Sequence, residues 1–377
     1  VMLIIPTRFI PFALSTLISP LGKLRMAMDL FIPARQGDAD ESLSSFIRRR
    51  LGKEALDRIA EPLMAGIYVA DPENLRLQST FPRFIAMEKK YGSLTRGMLS
   101  QIKARAAQHK AGTLPAPLPL FMTLRGGLTE LVNTLAGRLE WELLTGVGLD
   151  RLEPPTQGQG SYQLHLSNGE TRTAAAVVLA TPAPATASLL DPLVPDVAHQ
   201  LRQIRYLSTA TVSLAFKRSD ISHPLNGFGF VVPKSEPCRL MACTWVSTKF
   251  DHRAPKDHVL LRVFVGGYKH QALVELSDDE LTTLVRAELK AIMGITAEPT
   301  RKEIYRWPHG NAQYDVGHLD RVTQIETQTA QALPGLYLTG SSFRGVGLPD
   351  CIHQAEQTVE RIMQRMSSIS HLDIPLC

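Results

Sequence analysis

The sequence predicts a mixed α/β (α+β) fold with a helical region ahead of it, and three observations carry the prediction. From about residue 14 to about residue 111 the apolar residues recur mostly at helical spacing. Pro115, Pro117 and Pro119 then break the composition and mark a linker or domain crossing. Beyond the break, short apolar strands alternate with amphipathic helices, and a strand-rich stretch from about 207 to 267 is inserted between two such segments.

In the helical region Leu43, Phe46, Ile47 and Leu51 share one face of a helix that Asp40 is placed to cap. Ala55, Leu56, Ile59 and Leu63 continue the pattern after Gly52. Arg48-Arg49-Arg50 and Lys89-Lys90 lie on such helices and read as solvated faces, with anionic lipid as the alternative partner. After Gly126-Gly127 an amphipathic helix carries Leu128, Leu131, Val132, Leu135 and Leu139. Strands follow over 143–152 and 162–166, then an Asn168-Gly169 hairpin turn. Val177-Val178-Leu179 is continuously apolar and reads as a strand buried on both faces. The insert predicts strands over 211–216, 228–232, 240–246 and 259–265, and a helix over 276–293 with Asp278 and Asp279 in its first turn. A short strand over 336–338, a glycine-rich turn and a helix over about 349–366 close the pattern.

Composition narrows the function. The 377 residues carry 41 Lys plus Arg against 36 Asp plus Glu, a formal charge of +5, and are 44% hydrophobic and 20% charged. That is globular, and too weakly basic for nucleic acid. The apolar stretch over 1–24 is broken by Pro6, Arg8, Pro11 and Pro20, so neither a signal peptide nor a membrane span is expected. Cys238, Cys243, Cys351 and Cys377 form no Cys-x-x-Cys pair, which fits a reducing cytoplasm.

The densest chemical signal is Thr339-Gly340-Ser341-Ser342-Phe343-Arg344-Gly345-Val346-Gly347-Leu348-Pro349-Asp350. Glycines after a strand and before a helix let a flat or phosphorylated ligand approach the backbone, and the helix start favours negative charge. The alternative is a turn that needs glycine only for its dihedral angles. No Gly-x-Gly-x-x-Gly, P-loop, serine elbow or metal-ligating His spacing occurs. His252 and His258, near Arg253 and Lys256, read as a solvated turn.

Read together, longer motifs point further. Glu61-Pro62-Leu63-Met64-Ala65-Gly66-Ile67-Tyr68-Val69-Ala70-Asp71-Pro72, Leu124-Arg125-Gly126-Gly127-Leu128, Gly227-Phe228-Gly229-Phe230-Val231-Val232-Pro233, Arg253-Ala254-Pro255, Phe264-Val265-Gly266-Gly267, Gln313-Tyr314-Asp315-Val316-Gly317-His318 and the terminal glycine turn occur in order. The chain thereby resembles the oxygen-dependent, FAD-containing porphyrinogen oxidases of haem biosynthesis, within the monoamine-oxidase superfamily. Ile5-Pro6-Thr7 and Ala242-Cys243-Thr244-Trp245 resemble most the Gram-positive bacterial branch, whose substrate is generally coproporphyrinogen III; mitochondrial and plastid relatives take protoporphyrinogen IX.

The resemblance implies a Rossmann-like flavoprotein fold: a helical domain over 1–118, an FAD-binding domain over 119–206 and 305–366, and a β-rich substrate domain over 207–304. The family's opening βαβ unit with its Gly-x-Gly-x-x-Gly is missing, so a chain truncated ahead of Val1 is expected. For FAD it implies Leu149 at the adenine and Val346, Gly347 and Leu348 beside the flavin ring. For substrate it implies the Gly66 backbone opposite the reacting carbon and Val231, Thr244 and Phe264 around the tetrapyrrole, with Thr244 where plant enzymes carry leucine. Phe264 and Gly347 are expected to be the most sensitive positions, and no side chain is needed as acid or base. The implied partners are a porphyrinogen and O₂. Peripheral membrane contact, transient contact with ferrochelatase and a homodimer stay open, as do an amine oxidase or desaturase and a catalytically silent porphyrin binder.

Overall fold

The computed structural model describes residues 12, 14–36, 41–68, 73–75, 77–110, 121–156 and 160–370. Asp40, the Pro115–Pro119 linker, Ile5-Pro6-Thr7 and Asp71-Pro72 lie outside them. The chain divides into two compact units, Val1–Gly137 with Tyr206–Asn311, and Arg138–Arg205 with Ala312–Cys377. In chain order the strands are β1 (Leu149–Glu153), β2 (Tyr162–Leu166), β3 (Thr171–Ala174), β4 (Val177–Leu179), β5 (Tyr206–Lys217), β6 (Gly229–Val231), β7 (Ala242–Trp245), β8 (His258–Gly266), β9 (Arg301–Ala312) and β10 (Leu336–Leu338).

The first unit is built on a five-stranded sheet of order β6-β7-β8-β5-β9. β5 and β8 pair antiparallel from Thr209 opposite Gly266 to Lys217 opposite His258. Their period-two pattern turns Val212, Leu214 and Phe216 of β5 and Leu261, Val263 and Val265 of β8 to one buried face, joined there by Cys243 and Trp245 of β7. The helix Asp278–Met293 covers that face through Leu281, Val285, Leu289 and Met293. Its start is fixed by a reciprocal cap: Ser277 Oγ accepts from the Glu280 amide at 3.3 Å while Glu280 Oε2 accepts from the Ser277 amide at 2.9 Å. Burial of this layer stabilises the unit at about 25 cal/mol per Å² of apolar surface removed from water. β9 carries no clear strand pattern in the sequence. Pro308 removes a ladder donor, and the strand sits where such a residue is tolerated, at the sheet edge.

In the helical part the helix Leu43–Arg50 is capped by Ser42, whose Oγ accepts from the Ser45 amide at 3.1 Å. Leu43, Phe46 and Ile47 are buried as their spacing predicts. The solvated reading fails for two of the three arginines that follow. Arg50, 0% exposed, meets Asp29 at 2.6 Å and donates to the carbonyls of Ile32 and Gly92, each at 2.8 Å. Arg49 bridges Glu41 at 2.9 Å and Glu88 at 2.7 Å. Arg50 stands three and four residues beyond Ile47 and Phe46, so the helical period carries it onto the apolar face. Its carboxylate partner is remote in sequence, which hides the pairing from any local pattern. Arg48 stays at the surface with Glu73, and Lys89 and Lys90 are exposed as expected.

The second unit holds the antiparallel sheet β1-β2-β3 and a parallel pair of β4 and β10. Gly169, at φ +85°, makes the predicted hairpin turn between β2 and β3. The strand expected over 143–152 is confined to β1, because Gly146 at φ +74° turns the chain just before it. β4 is not buried on both faces: Val178 is 43% exposed between buried Val177 and Leu179, since among the described residues β4 has only β10 beside it. Val177, Val178 and Leu179 lie opposite Leu336, Tyr337 and Leu338 in parallel register, so both strands deliver their following turns to the same edge.

Candidate functional site

At that edge the turn after β10 enters the helix Leu348–Ser370. Its backbone is held from several sides. Tyr314 Oη donates to the Ser341 carbonyl at 2.9 Å and accepts from the Gly345 amide at 2.8 Å. His318, fully buried and stacked on Tyr314 with ring centroids 4.1 Å apart, donates from Nε2 to the Phe343 carbonyl at 2.8 Å. Gln354 accepts from the Arg344 amide at 3.2 Å and donates to the Gly345 carbonyl at 3.3 Å. Ser342 Oγ accepts from the Ala183 amide at 3.2 Å, tying the turn to the end of β4. The motif Gln313 to His318, to which the sequence alone gives no task, thus holds the glycine turn. Only its tertiary position reveals this.

The glycines of the turn divide into two kinds. Gly345 sits at φ +157°, and a Cβ there would come within 2.4 Å of the Asp350 Cβ, so the backbone itself requires glycine. Gly347 lies outside the left-handed region, and an added Cβ would meet only the flexible end of Asp350, at 2.9 Å. A purely conformational reason therefore accounts for Gly345 and not for Gly347. The space in front of Gly347 is left open by the backbone. Val346 and Leu348 on either side are exposed, and the helix that starts here is long enough for its dipole to favour a partial negative charge. Exposed apolar side chains, a bare glycine backbone and a helix N-terminus fit a flat, redox-active ring whose reduced form is anionic. Leu149 opens β1 opposite Leu166, with a register shift between it and Arg151 that bends the strand at that point.

In the first unit the register brings three separated positions together. Val231 lies opposite Ala242, Ala242 opposite Phe264, and Thr244 opposite Gly229 and Arg262. Residues paired across an antiparallel sheet, or two apart along a strand, share a face. Val231, Thr244 and Phe264 therefore share one face, the one turned away from the packed core. Val231 is 38% exposed and Thr244 and Phe264 are half-buried, whereas their strand neighbours Cys243, Val263 and Val265 are buried. Gly229 permits the pairing: at φ +138° its Cα lies so near the Cys243 carbonyl that a Cβ would stand 2.0 Å from that oxygen. Gly66 falls in the helix Glu61–Tyr68.

Other side chains near these elements are structural. The loop is largely exposed, as expected for a solvated turn, and Arg253 in it donates to Thr123 Oγ1 at 3.1 Å and to the Leu124 carbonyl at 2.8 Å, joining it to the Leu124-Arg125-Gly126-Gly127 turn. The two motifs are 126 or more residues apart in the chain, which is why the sequence does not link them. Burial pushes the Cys243 thiol up to about 12 and Cys238 to about 11, so neither is a thiolate nucleophile near neutrality.

Among the described residues, no helix is long and apolar enough to cross a membrane. Comparison with known proteins gives a consistent picture. A coproporphyrinogen III oxidase of Bacillus subtilis is 36% identical over 94% of this chain and 74% of its own length. Its counterpart in Staphylococcus aureus is 34% identical over 96% of this chain and 77% of its own. A chloroplastic protoporphyrinogen oxidase of Arabidopsis thaliana is 27% identical over 97% of this chain and 71% of its own. A crystal structure from Exiguobacterium sp. 255-15, provisionally described as a protoporphyrinogen oxidase, superposes with a TM-score of 0.80 at 34% identity, over 93% of this chain and 73% of that one. Putrescine oxidase bound to putrescine shares the fold, at a TM-score of 0.62 and 14% identity over 93% of this chain and 77% of that one. The model of the flavin containing amine oxidoreductases matches residues 5–363, and the chain belongs to that family of FAD-dependent oxidoreductases.

Proposed function

We propose that the protein oxidises coproporphyrinogen III to coproporphyrin III, a six-electron change that consumes three O₂ and releases three H₂O₂. The coproporphyrinogen oxidases among its relatives support the substrate class. The observation that carries the reading is the sharing of one partly exposed sheet face by Val231, Thr244 and Phe264, which lie on three different strands.

On this reading the chain's own residues bind and orient. Phe264 offers a flat apolar surface for a pyrrole ring, where offset stacking adds about 0.5–1.5 kcal/mol beyond area burial. Val231 narrows the same face, and Thr244 adds a hydroxyl suited to a substrate rimmed with carboxylates. The backbone at Gly66 lies opposite the carbon that loses hydrogen. Val346, Gly347 and Leu348 would hold the FAD ring, the N-terminus of the helix Leu348–Ser370 would favour negative charge there, and Leu149 would hold the adenine. When bound, FAD supplies hydride acceptance and the reduction of O₂. Positioning is the protein's share of the rate, and no residue acts as acid or base.

The test is turnover by the full-length, flavin-loaded protein, followed by porphyrin fluorescence together with O₂ uptake and peroxide release. Coproporphyrinogen III is expected to be oxidised faster than protoporphyrinogen IX, with three peroxides per porphyrin. Absence of porphyrin formation from either substrate overturns the reading, and preference for protoporphyrinogen IX overturns its substrate.

A further inference from the structure

Beyond the partly exposed sheet face, the first unit holds a groove of about 510 Å³ lined by residues of the β6–β7 connection and of the segment after β8. Lys234, Arg239, Lys269 and His270 all contribute to it, with Glu236 as the one carboxylate in its wall. Two of its lining residues, Lys234 and Tyr268, hold a buried carboxylate behind it. Glu61 accepts a short hydrogen bond from Tyr268 Oη, and its other oxygen accepts from the Lys234 amide at 2.9 Å.

The cations near that carboxylate are only loosely matched. The Lys269 ammonium is largely buried and stands 3.9 Å from Glu61, beyond hydrogen-bond distance. Lys234 Nζ lies over the Tyr268 ring, 5.7 Å from its centroid. Arg239 uses Nε on Glu288 at 3.1 Å. Desolvation, then the charges of Lys269 and Arg239, outweigh Glu288 and lower the readiness of the His270 ring to take a proton. Converging cations in a concave, partly desolvated site are the arrangement that recognises an oxyanion.

We propose that this groove binds an oxyanion, through Lys234, Lys269 and Arg239, and that the oxyanion is a carboxylate of a tetrapyrrole side chain. The second half rests on the proposed function. Lys234 and Tyr268 of the groove follow Val231 and Phe264 by three and four residues, just past the ends of β6 and β8, so the groove continues from one end of the face that those residues share. Coproporphyrinogen III has four propionates and protoporphyrinogen IX two. A carboxylate site beyond the ring therefore favours the former. A free small anion such as phosphate has the same binding chemistry.

Binding of coproporphyrin III, protoporphyrin IX and inorganic phosphate to the full-length protein distinguishes these sources, compared between the unaltered protein and Lys234→Gln/Lys269→Gln. Coproporphyrin III is expected to bind roughly tenfold more weakly to the double variant, with a smaller change for protoporphyrin IX. Loss of phosphate binding alone leaves the oxyanion site standing and assigns it to a free anion, whether or not the protein oxidises porphyrinogens. Unchanged binding of all three overturns the site. Acylation of lysines by an N-hydroxysuccinimide ester, read by mass spectrometry on the unaltered protein, makes the same test without a variant. Saturating coproporphyrin III or phosphate is expected to slow modification of Lys234 and Lys269, and unchanged rates with both ligands overturn the proposal.

Discussion

The glycine turn of one unit and the partly exposed sheet face of the other achieve precision in opposite ways. The turn has no ladder, so a handful of buried polar atoms fix its backbone: Tyr314 Oη, His318 Nε2 and the Gln354 amide. The sheet face has no polar clamp and inherits its geometry from nine paired positions between β5 and β8 and from the core behind them. Damage to the first should therefore be abrupt and local. Damage to the second should be graded, because the scaffold survives the loss of one side chain.

The largest expected effect lies in the turn. Gly345→Ala forces a Cβ into Asp350 and strains the backbone, costing about 1–3 kcal/mol and displacing the ring-facing segment. A lowered Tm together with loss of the flavin absorption bands is the expected result. Gly347→Ala separates ligand from scaffold: its Cβ meets only a flexible carboxylate, so Tm should hold while flavin retention falls. Equal behaviour of the two variants would break the distinction drawn between them.

Tyr314→Phe comes next. It leaves the Ser341 carbonyl and the Gly345 amide without their shared hydroxyl, at about 1–3 kcal/mol, and flavin occupancy should drop although the missing atom belongs to the scaffold. On the sheet face, Phe264→Ala should raise KM for the porphyrinogen roughly tenfold while Tm and flavin content change little. Normal KM there would remove Phe264 from the substrate surface.

A smaller effect concerns pH. Burial pushes the Glu41 carboxyl up, but hydrogen bonds and charge from Arg49, with help from Ser45 and Arg35, outweigh burial and leave it below its ordinary 4.5. The folded state thus binds this proton less readily than the unfolded chain. The stabilisation is complete above pH 4.5 and is lost as pH falls through the lower folded value. Thermal melts between about pH 6 and about pH 3 should show this decline, and Glu41→Gln should flatten it. Smallest of all, Thr244→Leu should alter the ratio of turnover on the two porphyrinogens by no more than about threefold, the worth of a single exposed contact.

The sequence makes the sheet more legible than the turn's supports, for a physical reason. Period-two burial and the Ser277 cap are local codes, so β5, β8 and the helix Asp278–Met293 are readable a few residues at a time. The glycine turn is equally visible as a pattern. What holds it is not, because Tyr314 and Ser341 meet only after the helix His318–Ala332 has brought the chain back. Resemblance names Val231, Thr244 and Phe264, while the register alone explains why they share a face. Arg49 and Arg50 are fixed by tertiary partners that no local pattern shows. Three consecutive arginines look like surface until carboxylates 8 to 39 residues away are placed beside two of them.

That buried arginine sets a thermal and ionic character for the helical region. The Arg48–Glu73 pair stands at the surface, where added salt screens it within a Debye length of about 10 Å at 0.1 M. Arg50 and Asp29 are each fully enclosed, out of reach of mobile ions. The penalty for stripping water from charged groups shrinks on heating, so this inner pair gains relative weight as temperature rises while hydrophobic gains level off. High ionic strength and moderate heat, which loosen ordinary surface pairs, leave the helical layer joined at this enclosed pair.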